Sequence, residues 1–228
     1  MERNERAENT SFGKELKECE AEKIEIGGRY LAHDESRTSK TDKLQQLIFR
    51  EADRIRLNDL VTLFENRGGP KSCWCMVWRA TPEEAKRTDG ASRKAAFTRR
   101  VKQGVPVGIL GYLDEKPIAW CSIAPRPTYR DLGGAADGPD ENVWSLVCFF
   151  VIREYRGQGM TARLIDAAIE HARKRGATVI EAYPVDPDSP SYRFMGFVGA
   201  FKKAGFVEVG RAGTRRHVMR LELDRPKQ

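Results

Sequence analysis

The residues Arg156-Gly157-Gln158-Gly159-Met160-Thr161-Ala162 follow one apolar stretch and lead into an amphipathic one. Glycine adopts left-handed backbone angles and lets the main chain come close to a ligand. The first turn of a helix carries unpaired N–H groups that favour an anion. The segment therefore reads as a phosphate cradle. Further on, Glu181 and Tyr183 stand two apart in "TVIEAYPV", so on a strand they share a face. One can receive a proton through water and the other can donate one. Glu141 and Asp140, just ahead of the apolar run 143–151, are weaker candidates for the same work.

The elements that must position these groups follow from periodicity and punctuation. "VWSLVCFFV" is continuously apolar and reads as a strand buried on both faces. After the glycines, Leu164, Ile165, Ala168, Ile169 and Ala172 form one helical face that Gly176 ends, with Glu170 and Lys174 paired on the outer side. "TVIEAYPV" is the next strand, "RFMGFVGAFKKAG" a short helix, and "FVEVGR" with "HVMRLEL" a closing hairpin. Upstream, "RIRLND" reads as a short strand and "DLVTLFENRGG" as a helix with Asp59 as N-cap and Gly68 as stop. "CWCMVWR" reads as an aromatic strand. Residues 80–104 carry one or two basic helices closed by Gly104. "VGILGYLD" and "PIAWCSIAP" form a hairpin through Glu115-Lys116, and residues 129–142 a loop rich in Gly and Asp. Hairpins first, then strand–helix–strand–helix, then a hairpin predict an α/β or α+β domain with a mixed sheet.

Gly157-x-Gly159-x-x-Ala162 formally meets the dinucleotide-binding fingerprint, and Glu181 ends the next strand, where an acidic residue would meet a ribose. Two features oppose that reading. "IREYR" separates Val151 from the first glycine, and too few strand–helix units follow Glu181 for a doubly wound domain. "VIREYRGQGMTARLIDAAIEHARKRGA" instead resembles motif A of the GNAT N-acetyltransferases, which carry Arg/Gln-x-x-Gly-x-Gly/Ala between the fourth strand and the following helix. Glu154 takes the first position here. The resemblance runs on through "AFKKAGFVEVGR" and covers roughly residues 50–224. "CWCMVWR", "IAWCSIAPR" and "VWSLVCFFV" resemble a GNAT subgroup of uncharacterised function.

The resemblance implies a mixed, mostly antiparallel sheet with a splay between the fourth and fifth strands, and acetyl-CoA as donor. Its pyrophosphate would meet the N–H groups of Arg156, Gly157, Gln158, Gly159, Met160, Thr161 and Ala162. Its pantetheine would pair with the edge of Phe149–Val151, so Phe149 and Val151 join the cofactor-binding candidates. Arg153, Arg156 and Arg163 are candidate phosphate partners, though each taken alone is an ordinary solvated charge. Some members carry a base on the fourth strand, where this chain has Ser145, and many an acid where it has Phe201. Glu181 and Tyr183 are the catalytic candidates that remain, weighed evenly against a strand-end charge and a core aromatic. The expected reaction is acetyl transfer to a primary amine by direct attack in a ternary complex.

Composition bounds this reading. A chain of 228 residues holds one domain with a tail or two small ones: a polar arm over residues 1–40, then residues 41–228. No apolar run is long enough for a membrane helix and Met1–Thr10 carries no signal-like core, so the cytoplasm is the expected compartment. Five cysteines, an odd number, imply no disulfide framework. Cys73 and Cys75 would share a strand face and, if their strands adjoin, meet Cys121 and Cys148 near the splay, with buried inert thiols favoured over a metal site. Trp74, Trp78, Trp120 and Trp144 are read as core before pocket. The net charge of +7 suits an anionic ligand. Arg93–Lys102 is read as a solvated face before a basic rim for an acidic substrate. The expected partners are a small-molecule or peptide amine and a second copy of the chain. An acyl-CoA-binding module without turnover is the alternative, and a nucleic-acid-binding protein ranks third.

Overall fold

The computed structural model describes residues 46–138 and 141–224. The arm expected over residues 1–40 and the candidate Asp140 lie outside these. The strands are β1 (Ile48–Glu51), β2 (Ile109–Leu113), β3 (Lys116–Pro125), β4 (Val143–Val151), β5 (Val179–Ala182), β6 (Val207–Ala212) and β7 (Arg216–Glu222). The helices are α1 (Leu57–Glu65), α2 (Pro82–Ala85), α3 (Gly90–Lys102), α4 (Met160–Lys174) and α5 (Val198–Lys203). The sheet runs β1-β2-β3-β4-β5-β7-β6, and only β4 and β5 are parallel. This is the mixed sheet expected from the element order, mostly antiparallel as the resemblance implies.

β4 holds the key irregularity. Ser122 of β3 pairs with Cys148 and Ile123 with Leu146, so Val147 is an extra residue in β4. A bulge of this kind bends its strand and increases the local twist. The ladder to β5 ends at once, at Leu146 opposite Ala182, and no β5 residue faces Phe149–Val151. The splay thus has a local cause. Val147 and Cys148 both enter one apolar layer, while Leu146 and Phe149 enter the other.

The second layer is built by α4. Leu164, Ile165, Ala168 and Ala172 are fully buried against β3 and β4, and a buried Leu or Ile contributes about 1.5–3 kcal/mol. Gly176, at φ +80, ends the helix. On the other face, α1, α3 and the segment 73–80 enclose an aromatic cluster. Phe64 lies 5.3 Å from both Trp74 and Trp120, and Phe97 6.1 Å from Trp120.

Two expected strands are not strands. Arg54–Asp59 forms a turn and the start of α1, and the edge strand lies earlier, at Ile48–Glu51. Asp59 is not the N-cap: Arg56 holds that place, and the Asp59 carboxylate accepts from the Tyr112 hydroxyl at 2.7 Å. "CWCMVWR" is a succession of turns. The Pro70 carbonyl accepts from the N–H groups of Cys73 and Trp74, and Trp74 and Cys75 adopt φ +46 and +52. Residues 74, 75 and 76 are buried consecutively, which a pleated strand with one wet face does not allow. Aromatic content imitated a strand where it served the cluster.

Candidate active site

The glycine segment forms a tight strand-to-helix turn. After β4, Arg153–Tyr155 makes one 3-10 turn, which accounts for the residues between Val151 and the first glycine. Gly157 and Gly159 then take φ +75 and +74, and an added Cβ at either would meet nothing within 4 Å. Glycine is needed there for its backbone angle, and the space beside it is open. Gly159 caps α4, and no side chain closes the cap, so the first-turn N–H groups stay available. Arg156 Nε donates to the Val151 carbonyl at 2.8 Å, and Gln158 Nε2 to the Glu154 carbonyl at 2.7 Å. These bonds hold the turn against the end of β4, beside the unpaired edge at Phe149–Val151. A thin phosphorylated chain fits this combination of open strand edge and uncapped helix.

Glu181 and Tyr183 come together at the foot of the splay, and both are fully buried. The Tyr183 hydroxyl donates to Glu181 Oε1. Arg126 donates to the same oxygen at 3.1 Å. Arg220 Nε and the Ala135 N–H donate to Oε2 at 2.8 and 3.0 Å. Burial pushes the Glu181 carboxyl up, but the bonds from Tyr183, Arg220 and the Ala135 N–H outweigh it and leave it below the usual range. Tyr183 moves upward, through burial and the adjacent carboxylate. The pair is thus an ionised carboxylate holding a protonated phenol. Ser145 Oγ, buried on β4, lies near the phenol but outside ordinary hydrogen-bond geometry.

Phe201 is fully buried, packed at 5.2 Å on Phe206 and 6.1 Å on Phe149. Its place is filled by core. Glu141 bonds Arg220 NH1 at 2.9 Å and belongs to the Glu181 network. That network spans the loop before β4. Gly134 must be glycine, since a Cβ would stand 2.0 Å from Glu181 Oε1 and 2.8 Å from the Tyr183 hydroxyl.

Sequence reasoning missed the arginines. Arg126 and Arg220 hold Glu181. Arg79, buried after the aromatic turns, reaches the Tyr129 hydroxyl at 2.6 Å, the Val107 carbonyl at 2.9 Å and Ser122 Oγ at 3.2 Å. One signal was available: Glu181 is the single charged residue of the otherwise apolar strand β5. The thiols divide. Cys75 Sγ is 3.5 Å from Cys148 Sγ and accepts from Trp120 Nε1 at 3.1 Å, while Cys121 lies in the other layer. Among the described residues no cluster of metal-ligating side chains occurs, and no helix is long and apolar enough to cross a membrane.

A sequence model of the acetyltransferase (GNAT) family matches residues 71–199, more than half of the chain. No curated protein sequence matches it. Among solved structures, an uncharacterised protein from Bacillus halodurans is 15% identical with a TM-score of 0.52, over 77% of this chain and 83% of its own, and supports the same fold. A putative acetyltransferase from Salmonella typhimurium, solved with its cofactor acetyl-CoA, is 19% identical (TM-score 0.47, 80% and 96% covered). The ribosomal-protein-S5-alanine acetyltransferase from Vibrio fischeri is 13% identical (TM-score 0.49, 80% and 96% covered). With the family matched from the segment 73–80 through α4 and into α5, this chain belongs to the GNAT acetyltransferases, enzymes that take an acetyl group from acetyl-CoA.

Proposed function

We propose that the chain acetylates a primary amine of a small molecule or peptide by direct attack in a ternary complex, in the cytoplasm. The observation that carries this reading is the bulge at Val147, which parts β4 from β5 and leaves Phe149–Val151 as an open edge running into the glycine turn. In this reading the pyrophosphate lies on the N–H groups from Arg156 through Ala162, and the pantetheine follows Phe149–Val151. Bound there, acetyl-CoA supplies a thioester carbon. The backbone freed from the ladder at the bulge offers donors to its carbonyl oxygen.

The amine nitrogen bonds to the acetyl carbon and the carbon–sulfur bond breaks. The ammonium loses one proton before attack and a second after it, and this second proton balances the one that Tyr183 gives to sulfur and restores the phenol. An alkyl amine has a pKa of about 10.4, so the first proton must go before attack. Glu181 already accepts four hydrogen bonds, which suits it to hold Tyr183 rather than to take that proton itself. Water at the cleft receives it. Tyr183, protonated and beside the splay, supplies the proton to sulfur.

Calorimetry with acetyl-CoA and CoA, followed by a panel of amines with thiol release as readout, tests the reading. Micromolar binding that Gly159→Asp weakens on the order of 100-fold, with turnover of some amines, is the expected result. Absence of CoA binding would end it.

A further inference from the structure

Trp78 lies beside two guanidinium groups. Arg216, at the start of β7, places its guanidinium carbon 4.5 Å from the indole centroid, and Arg130 places its own at 4.9 Å. Neither guanidinium is ion-paired among the described residues, whereas Arg126 and Arg220 on the same sheet face both reach Glu181. Arg216 donates to the Leu132 carbonyl at 2.9 Å. Asp131, whose field acts on Arg216, spends its Oδ1 on the Gly133 N–H at 2.7 Å. Trp78 is more than nine-tenths buried, and its Nε1 has no hydrogen-bond partner among the described residues.

Guanidinium and indole N–H are donor-only groups. Two like charges sharing one aromatic ring repel unless an anion lies with them. Tyr192 packs over both, 6.1 Å from Trp78 and 5.6 Å from the Arg216 carbon, and is held at φ +60, a conformation costly for a tyrosine. Arg216 also lies 5.8 Å from the Tyr183 ring, which ties the cluster to the splay. On its other side Arg130 lines a cleft of about 920 Å³ between the segment 76–80, α2 and α3, whose wall carries Arg87, Arg93 and Arg99 together with Glu83 and Glu84.

We propose that Arg130, Arg216 and the Trp78 indole N–H form a carboxylate subsite for the acceptor, so that the amine acetylated belongs to an amino acid or similar carboxylate-bearing compound rather than to a polyamine. The proposal rests on the acetyl-transfer reading for its purpose, but not for its test. A carboxylate gripped by a guanidinium fork accepts two parallel bonds. In an α-amino acid the amine is only two bonds away, so a carboxylate beside Trp78 and Arg216 keeps the nitrogen near Tyr183.

Binding of the twenty N-acetyl-L-amino acids and their carboxamides, which need no turnover, is measured by calorimetry on wild type, Arg216→Gln and Arg130→Gln. At least one acid should bind tenfold or more tighter than its amide, and both variants should erase that preference. Arg130 is exposed, so its variant keeps the fold and the comparison stands if Arg216→Gln fails to fold. Acids that bind no better than amides, or a preference that survives in Arg130→Gln, overturn the subsite. Turnover of phenethylamine, tyramine and spermidine equal to that of phenylalanine, tyrosine and lysine overturns it while leaving acetyl transfer intact. Selective carboxylate binding with no turnover of any amine upholds the subsite and removes the transfer reading.

Discussion

Glu181 on β5 and Arg220 on β7 stand directly opposite in the antiparallel ladder, and Arg220 Nε donates to Glu181 Oε2 at 2.8 Å. The pair lies between two apolar layers, so its worth is set by burial. Arg220→Leu leaves the carboxylate with Arg126 as its one remaining cation, and removing one partner of a buried pair costs about 3 kcal/mol. Urea unfolding at pH 7 should show that loss. The folded Glu181 titrates below the usual range, so its contribution is present above the unfolded carboxylate value of about 4.3 and is lost as pH falls through the lower folded value. The gap between wild type and Arg220→Leu should therefore narrow below about pH 4. A gap that widens on acidification contradicts the pairing.

Gly134→Ala puts a methyl group 2.0 Å from Glu181 Oε1 and 2.8 Å from the Tyr183 hydroxyl. The loop must then move away from the sheet, breaking the bond from the Ala135 N–H to Glu181. Overpacking of this kind costs about 1–3 kcal/mol. Faster proteolysis between Pro127 and Gly138, with a lower melting temperature, is the expected signature. Unchanged melting would mean that the loop does not close over Glu181.

At Gly159 the backbone angle and the ligand can be separated. Asn and Asp both tolerate φ near +74 better than alanine does, and both have open space. Gly159→Asn should retain acetyl-CoA binding within a few fold. Gly159→Asp sets a carboxylate against the pyrophosphate and should weaken binding on the order of 100-fold. Equal affinities for the two variants would move the pyrophosphate elsewhere.

The strand β4, the helix α4 and the cradle between them were legible because each is local. A continuous apolar run, a 3.6-residue stripe and two glycines needing positive φ carry their own signals. The segment Cys73–Arg79 was not, since its aromatic run has strand-like composition while Trp74 is fixed by Phe64 and Cys75 by Trp120, which are distant in sequence. The splay was expected by resemblance, but its cause, the extra residue Val147, depends on register with Ser122 and Ile123. Glu181 and Tyr183 were singled out by their spacing together with the splay that the resemblance implied. Their partners Arg126 and Arg220 come from other elements, and only the β5–β7 register shows that Arg220 faces Glu181.

Tyr183→Phe removes one hydroxyl and keeps the ring that faces Arg216. Glu181 keeps three donors, so the stability cost should be near 1 kcal/mol. If the phenol protonates the departing thiolate, kcat falls about 100-fold while the KM for acetyl-CoA holds. A kcat within about threefold of wild type would return Tyr183 to the core as an aromatic with a hydrogen-bonded hydroxyl.

Glu84 gives the sharpest pH test. At the end of α2 it accepts from Arg100 NH2 at 2.6 Å and Arg99 NH2 at 2.7 Å on α3, and it closes a capping box with Thr81. The bond from Arg100 is the main cause that holds its carboxyl near a pKa of about 2. Its side chain retains some solvent contact, so screening reduces the gain to about 1–2 kcal/mol. Because the folded value is depressed, that stability is full above the unfolded value of about 4.3 and is lost as pH falls from there towards about 2. Glu84→Gln should be less stable by that amount at pH 7 and should converge with wild type as the pH approaches 2. Glu83→Gln is the control, since its pair with Lys86 is exposed and should be worth under about 0.5 kcal/mol. Denaturant titrations across the pH range decide the matter, and parallel curves for wild type and Glu84→Gln would show that α2 is not fastened to α3 by charge. The same clamp sets the cleft wall beside Arg130, so Glu84→Gln should also raise the KM of whichever amine is turned over, with the KM for acetyl-CoA unchanged.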